Sequence, residues 1–202
     1  MKLERLNSVT LAAIVALSAC SRLDSSRERD STGLKLPTDT SAARANAKRS
    51  MPDIETTVTE TGYGPLLIGM TVANAATALN SPIPSTAGLD TACAYIHVAN
   101  MPAGMRIMFT GGTVARIEVD SNTIATGLGA RVGDSELRVR GLYGPRVTAE
   151  PHKYLPGGHY LIVAPIPPTD SALRLVFETD GKRVTKYRAG RMPQVKWVEG
   201  CA

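Results

Sequence analysis

The side chains that most often carry catalysis or bind metals are few in this chain, and they lie far apart. They are His97, His152, His159, Cys20, Cys93 and Cys201. A zinc site needs close Cys or His ligands at finger, ribbon or H-E-x-x-H spacing, and the sequence contains none of these spacings. We therefore predict no catalytic residues, no metal and no cofactor.

Ser135 lies in the stretch GDSEL, residues 133–137, which resembles the signature of the GDSL hydrolases. A nucleophilic serine needs a histidine that takes its proton. The partner motif of that family, D-x-x-H, is absent around all three histidines. The sequence therefore favours Ser135 as the N-cap of a helix. A periplasmic hydrolase with a Ser or His site in the second half of the chain is the alternative function.

The densest group of polar and aromatic side chains lies between Gly144 and His159. Flanking prolines predict a surface loop there, and loops on rigid sheets often carry binding sites. The residues that we predict to contact a partner are Arg146, His152, Lys153, Tyr154 and His159.

The first nineteen residues are typical of a secretory signal peptide. Lys2 and Arg5 precede an apolar run from Val9 to Leu17, and small residues follow it. A helix that spans a bilayer needs about 20 apolar residues. The run is therefore too short for a lasting anchor, and we predict that residues 1–19 are removed.

The stretch Leu17-Ser18-Ala19-Cys20 resembles the bacterial lipobox. The resemblance implies that Cys20 receives a diacylglycerol and becomes the acylated amino terminus. Two or more acyl chains hold a protein durably at a membrane. By resemblance to Gram-negative lipoproteins, Ser21 implies the periplasmic face of the outer membrane, or the cell membrane in other bacteria. Ordinary signal cleavage beside an incidental cysteine is the alternative.

Cys93 and Cys201 remain once Cys20 is lipidated. An exported, oxidising compartment favours pairing, so we predict a disulfide between them. It would fasten the C-terminal tail, which carries the only tryptophan, Trp197, to the first half of the folded region. Two free thiols or metal ligation are the alternatives.

Residues 20–60 are predicted to be a disordered tether. The stretch 21–60 has no aromatic residue, and seven basic side chains balance seven acidic ones. Such a composition supplies neither a core nor an arm for anionic membranes. The remaining 142 residues, 61–202, are enough for one domain.

Positive charge is concentrated in the second half of the folded region. Residues 61–130 have a net charge of −1 and residues 131–202 have +5. This excess predicts that an acidic partner docks on the second half, because charge complementarity speeds encounter. We predict no nucleic-acid partner. A solvated basic surface without a partner is the alternative. The cations involved include Arg138, Arg140, Arg146, Lys153, Arg188 and Arg191.

Two parts of the folded region share one order of motifs, 64 to 70 residues apart. Ile68–Thr71 and Val132–Ser135 each end in a suitable N-cap and precede apolar residues at helical spacing. Alternating strands follow in both parts, with turns at Gly111-Gly112 and Asp180-Gly181. The pattern predicts two similar halves, each with short helices packed on an antiparallel sheet.

This order of motifs resembles the small outer-membrane lipoproteins of the SmpA/OmlA type. Two copies in one secreted chain resemble the tandem architecture of the β-lactamase inhibitor protein. The stretch Gly144–Tyr154, which ends in PHKY, and the EGC end at Glu199–Cys201 are similar to a group of uncharacterised secreted bacterial proteins. None of these resemblances supplies catalytic residues.

These observations predict an α+β periplasmic domain made of two repeats, 61–130 and 131–202, with a C-terminal tail. The predicted function is that of a membrane-anchored, non-catalytic binding or envelope-assembly module. Such a module would hold a protein or an envelope polymer. A purely structural envelope lipoprotein without a defined pocket is a further alternative.

Overall fold

A computed structural model describes residues 56–84 and 93–201, which lie within one compact unit, Lys48–Ala202. The strands of this part of the chain are β1 (Thr57–Thr59), β2 (Gly62–Tyr63), β3 (Leu66–Leu67), β4 (Cys93–Ile96), β5 (Met105–Thr110), β6 (Thr113–Val119), β7 (Ala125–Thr126), β8 (Val147–Pro151), β9 (His159–Val163), β10 (Leu173–Thr179) and β11 (Val184–Arg191). Its helices are α1 (Val72–Ala78) and α2 (Glu136–Tyr143), with short 3-10 helices at Gly144–Arg146 and Gln194–Lys196.

The predicted signal peptide, the lipidation residue Cys20 and the tether as far as residue 55 lie outside the described residues. No helix within 56–84 and 93–201 is long and apolar enough to cross a membrane.

Seven strands form one antiparallel sheet in the order β4-β5-β6-β11-β10-β9-β8. The predicted α+β class is therefore confirmed. The expectation of a separate sheet in each half is wrong, because β6 and β11 pair with each other and merge the strands of both halves. Glu118 of β6 lies opposite Arg188 of β11 in this pairing.

Both helices begin at the predicted hydroxyl caps. The Thr71 hydroxyl accepts the N–H of Asn74 at 3.2 Å, and the Ser135 hydroxyl accepts the N–H of Arg138 at 3.2 Å. Each bond satisfies one of the free backbone donors of a first helical turn. Ala75 of α1 and Val139 and Tyr143 of α2 are buried in the same core, on one face of the large sheet.

The segment before each helix pairs with the start of a strand from the same half. Gly69 donates its N–H to the carbonyl of Val114 at 2.7 Å, and Gly133 donates its N–H to the carbonyl of Val184 at 2.8 Å. Val114 and Val184 lie just after the hairpin turns of β5–β6 and β10–β11, which are the turns that the sequence predicted.

A second, smaller sheet has the order β3-β2-β1-β7, and its β1 and β7 run parallel. β1 lies inside the predicted tether, so the folded region begins before residue 61. Thr57 and Val58 are 1% and 0% exposed. β1 has only three residues between polar neighbours, and so short a segment shows too little alternation to distinguish a strand from a tether. Its burial against β7 makes it a strand.

The main core lies between the large sheet, both helices and the small sheet. Every second residue of a strand points to this face. In β5, Met105, Ile107 and Phe109 are all 0% exposed, whereas Arg106 between them points to the opposite face. A smaller apolar cluster on that opposite face is Tyr160, Ile162, Val176 and Val195.

The edge strand β8 exposes few backbone donors. Its ladder to β9 uses the backbone groups of Thr148 and Glu150, as the hydrogen bonds at both ends of the ladder show. The groups of Val147, Ala149 and Pro151 therefore point outward. Val147 donates its N–H to the preceding 3-10 helix, and proline has none. Among the described residues of β8, Ala149 thus holds the outward N–H without a partner.

Candidate binding site

Two stretches that are distant in sequence meet at one surface. The loop after β8 carries Lys153 and Tyr154, and the C-terminal tail, residues 192–201, carries Glu199. Lys153 Nζ donates to Glu199 Oε1 at 2.5 Å, and the Tyr154 hydroxyl donates to the same carboxylate oxygen. These hydrogen bonds lower the pKa of the Glu199 carboxyl, and the bond to Glu199 raises the pKa of Lys153. We call these three residues the loop–tail clamp.

The predicted disulfide between Cys93 and Cys201 is confirmed, with a Cα–Cα distance of 5.2 Å. It joins the end of the tail to β4. Gly200, just before it, has a φ of +69°, and a Cβ there would lie 2.7 Å from the Tyr95 hydroxyl. Only glycine tolerates both conditions without strain. The end of the tail therefore lies directly on β4.

An open cavity of about 570 Å³ lies beside the clamp. Its lining is Cys93, Lys153, Trp197, Val198, Glu199, Gly200 and Cys201. Trp197 is 38% exposed, and Tyr154 in the clamp is 59% exposed. Trp and Tyr are enriched among the residues that dominate the affinity of protein interfaces. The loop–tail surface thus combines a concavity with two exposed aromatic side chains.

His152 supports the clamp from below and is not available to a partner. Its Nε2 lies 3.0 Å from Glu178 Oε1, and its side chain is only 4% exposed. Nδ1 accepts the N–H groups of Tyr154 and Leu155, each at 3.0 Å. Nδ1 therefore carries no hydrogen, and Nε2–H donates to Glu178. The ring stacks on Tyr160 at 4.7 Å, so the predicted contact residue is a positioning residue.

His159 and Arg146 lie apart from the clamp. His159 is directed at α2, where its Nδ1 lies 2.8 Å from Glu136 Oε1. Arg146 forms a 2.8 Å ion pair with Glu60 and lines an open groove of about 410 Å³. Of the five predicted contact residues, the structure thus brings Lys153 and Tyr154 together on the surface. No group of three or more His, Cys, Asp or Glu within 56–84 and 93–201 could hold a metal ion.

The six cations behind the predicted acidic partner are each within 4.0 Å of a carboxylate. The pairs are Arg138–Asp134, Arg140–Glu136, Arg146–Glu60, Lys153–Glu199, Arg188–Glu178 and Arg191–Asp170. Arg188 is also 1% exposed, which contradicts its place in a basic surface. Because each of these charges is paired with a nearby carboxylate, only the net charge of the second half still supports the prediction of an acidic partner.

A buried charge network lies under the tail, on the face of the large sheet opposite the main core. It consists of Arg116, Glu118, Glu178 and Arg188, which are 1%, 3%, 8% and 1% exposed. Arg116 Nη2 donates to Glu118 at 2.8 Å, and Arg188 Nη1 donates to Glu178 at 3.3 Å. Charges at this depth are tolerated when they are paired and hydrogen-bonded.

Burial and ion pairing act in opposite directions on this network. Burial raises the pKa of the Glu118 carboxyl, but the Arg116 and Arg106 guanidinium groups outweigh it, and the net shift is downward. The pKa of Arg188 is lowered by burial and by the positive charge of Arg116. The two carboxylates therefore hold together arginines that repel each other.

The tail completes the network from above. Arg116 Nη1 donates to the backbone carbonyls of Gln194 at 3.2 Å and Trp197 at 2.7 Å. Gly190 of β11 lies opposite Arg116, where a Cβ would be 3.2 Å from the Arg116 Cβ. A Cβ there would also lie 2.6 Å from the Ala115 carbonyl oxygen, so the close approach of β6 and β11 at this point requires glycine.

No protein-family model matches the chain, and no curated protein matches it. Among solved structures, an extracellular protein containing a SCP domain from Bacillus anthracis is similar, with a TM-score of 0.42 and 12% identity. That alignment covers 72% of this chain and 49% of the other, so the chain spans about half the length of that protein. The uncharacterized protein yfeY from Escherichia coli gives a TM-score of 0.34 and 16% identity over 67% of this chain and 100% of the other. Similarities this low support no conclusion about function.

Proposed function

We propose that the chain is an exported lipoprotein, anchored by lipidated Cys20, whose folded part is a non-catalytic binding module. The lipobox and the preceding signal peptide support the anchor, and Ser21 supports the periplasmic face of the outer membrane. The Cys93–Cys201 disulfide is consistent with an oxidising compartment.

The observation that carries the binding role is the pair of exposed aromatic side chains beside the cavity of about 570 Å³. Tyr154 is held by Glu199 through its hydroxyl and by His152 through its backbone N–H. An aromatic side chain that is fixed before contact loses little conformational entropy on binding. Such a site fits a partner that presents an apolar group between Tyr154 and Trp197.

We also propose that the folded part consists of two similar repeats. Each has a hydroxyl-capped helix, a glycine bonded to the first valine of a later strand, and a three-stranded meander. The meanders are β4-β5-β6 and β9-β10-β11, and they join through β6 and β11. The added strand β8 and the tail distinguish the second repeat from the first.

The test of the binding role is capture of envelope proteins and polymers by the full chain after gentle solubilisation. Tyr154→Ala and Trp197→Ala should each raise the dissociation rate of the captured partner, because an aromatic anchor acts after contact. Leu137→Ala is the matched control, since Leu137 is 80% exposed on α2 and outside the site. Equal loss with all three variants, or with none, would refute this surface.

A hydrolase remains the second candidate because of one arrangement. Glu136 accepts hydrogen bonds from His159 Nδ1 and from the Thr179 hydroxyl, and these bonds oppose the effect of burial and lower its pKa. In a catalytic triad a carboxylate orients the imidazole that activates the nucleophile. Glu136 and the partly exposed His159 have the arrangement of that carboxylate and imidazole. If this pair is catalytic, His159→Gln should abolish hydrolysis of p-nitrophenyl acetate by the purified chain; equal rates with and without His159 would exclude it.

A further inference from the structure

The tail covers the polar face of the large sheet imperfectly. Of the four buried side-chain polar atoms without a protein partner in the described residues, three lie at this contact: Arg116 Nε, Arg188 Nε and Gln194 Oε1. A cavity of about 100 Å³ separates Arg188 and Tyr160 from Lys196 and Val198 of the tail. Permanent interiors are close-packed and hydrogen-bonded, so this contact is unlike a core.

Apart from the two hydrogen bonds that Arg116 donates to its carbonyls, the tail has few strong non-covalent contacts. Its buried apolar side chain is Val195, which is 0% exposed. The pairs Lys196–Glu150 and Lys153–Glu199 have side chains that are 37% to 53% exposed, and solvent weakens such pairs. Ordering ten residues costs conformational entropy at each one. The Cys93–Cys201 disulfide is therefore the main restraint on the tail.

The disulfide lies where another protein can reach it. Cys93 and Cys201 both line the open cavity beside the clamp, and both are partly exposed. Thiol–disulfide exchange requires that a thiolate approaches one of the two sulfurs. The restraint that holds the tail is thus open to exchange.

We propose that the polar face of the large sheet is a binding site for an extended peptide segment, filled by the chain's own tail until Cys93–Cys201 is reduced. A protein dithiol of the thioredoxin type is the reductant. One of its thiolates attacks a sulfur of the disulfide, the other sulfur leaves as a thiolate and takes a proton, and the second thiol resolves the mixed disulfide. Two electrons pass to this chain, and the dithiol becomes a disulfide. This inference goes beyond the proposed function and does not rest on it.

The ligand class follows from what the tail offers. Arg116 recognises two backbone carbonyls three residues apart, those of Gln194 and Trp197. The Nε–H groups of Arg116 and Arg188 are additional donors that the tail leaves unused. An extended segment with carbonyl or carboxylate oxygens near these N–H groups would accept hydrogen bonds from more of the donors on this face than the tail does.

The only tryptophan of the chain, Trp197, reports release directly. We expect reduction of the full chain with dithiothreitol to shift its emission to longer wavelength and to raise acrylamide quenching at least twofold. The far-UV circular dichroism should stay that of the folded protein. The double variant Cys93→Ala/Cys201→Ala, without reductant, should give the same emission and serves as the matched control. Unchanged emission after two new thiols have appeared would overturn the release of the tail.

A labelled synthetic peptide with the sequence of residues 192–200, MPQVKWVEG, tests the uncovered site. It should bind the reduced chain at least tenfold more tightly than the oxidised chain. Arg116→Lys, which removes the Nη1 donor to the carbonyls of Gln194 and Trp197 and keeps the charge, should weaken that binding while the oxidised chain stays folded. Equal binding to both redox forms, or none to either, would show that the face is not a peptide site. None of these readouts needs the partner of Tyr154 and Trp197, so failure here leaves the proposed function standing.

Discussion

The two faces of the seven-stranded sheet are built by alternate residues of the same strands, yet they reach burial by different means. One face packs apolar side chains against two helices and a small sheet. The other buries two arginines and two glutamates under a ten-residue tail that a disulfide fastens. Stability of the first face depends on volume and shape, whereas stability of the second depends on charge pairing and on its cover.

The largest loss of stability should come from a cavity in the core on the apolar face. Phe177 is 0% exposed and lies 5.6 Å and 5.5 Å from the ring centres of Tyr143 and Tyr187. We expect Phe177→Ala to lower the free energy of unfolding by about 3–5 kcal/mol, because it leaves a cavity in a close-packed core. Urea unfolding followed by circular dichroism measures this, with Leu137→Ala as an exposed control. A loss below about 1 kcal/mol would mean that this core is loosely packed.

On the charged face, removal of one partner should cost more than removal of two. Arg116→Met leaves Glu118 partly uncompensated and should cost about 3 kcal/mol. Arg116→Met/Glu118→Met removes both charges of one pair, and we expect its loss to be smaller than that of Arg116→Met alone. Urea unfolding of both variants measures the two losses in free energy of unfolding. Additive losses in the double variant would show that the two side chains act independently.

Acid should weaken the charged face selectively. The folded-state pKa of Glu118 is depressed, so its contribution is complete above the ordinary value of 4.5 and is lost as the pH falls through the folded pKa. Glu118→Gln should therefore flatten the decline of the urea midpoint below pH 4.5. Phe177→Ala should lower the midpoint at every pH without changing that slope. An unchanged slope in Glu118→Gln would assign the acid sensitivity to other carboxylates.

The smallest effect is expected at the clamp. The side chains of Lys153 and Glu199 are 53% and 50% exposed, so solvent screens their attraction. We expect Lys153→Ala to leave the urea midpoint within experimental error of the unsubstituted chain. A decrease comparable to that of Arg116→Met would show that the clamp, and not the disulfide alone, holds the cover in place.

Local signals in the sequence predicted the elements that depend on local chemistry. The caps at Thr71 and Ser135, the glycine turn at Gly111-Gly112 and the pairing of Cys93 with Cys201 are all confirmed. Each depends on a hydroxyl, a backbone conformation or a redox environment that can be recognised from a few residues.

The buried charges could not be predicted in this way. Alternation in β6 places Arg116 and Glu118 on one face, which is typical of a strand that is half exposed to solvent. Whether that face is covered depends on Gln194 and Trp197, which are 78 and 81 residues beyond Arg116. For the same reason, the sequence predicted that His152 contacts a partner, although Glu178 and Tyr160 enclose it.

The β8 edge, with its single unpartnered outward N–H at Ala149, also determines how the chain behaves among its own copies. A flat edge with many free donors and acceptors templates intermolecular sheets, and crowding at a surface would accelerate their growth. Here a proline and a 3-10 turn remove the other two outward donors. A neighbouring strand would find only one N–H donor along β8, so this edge supports a continuing ladder poorly even where copies are dense.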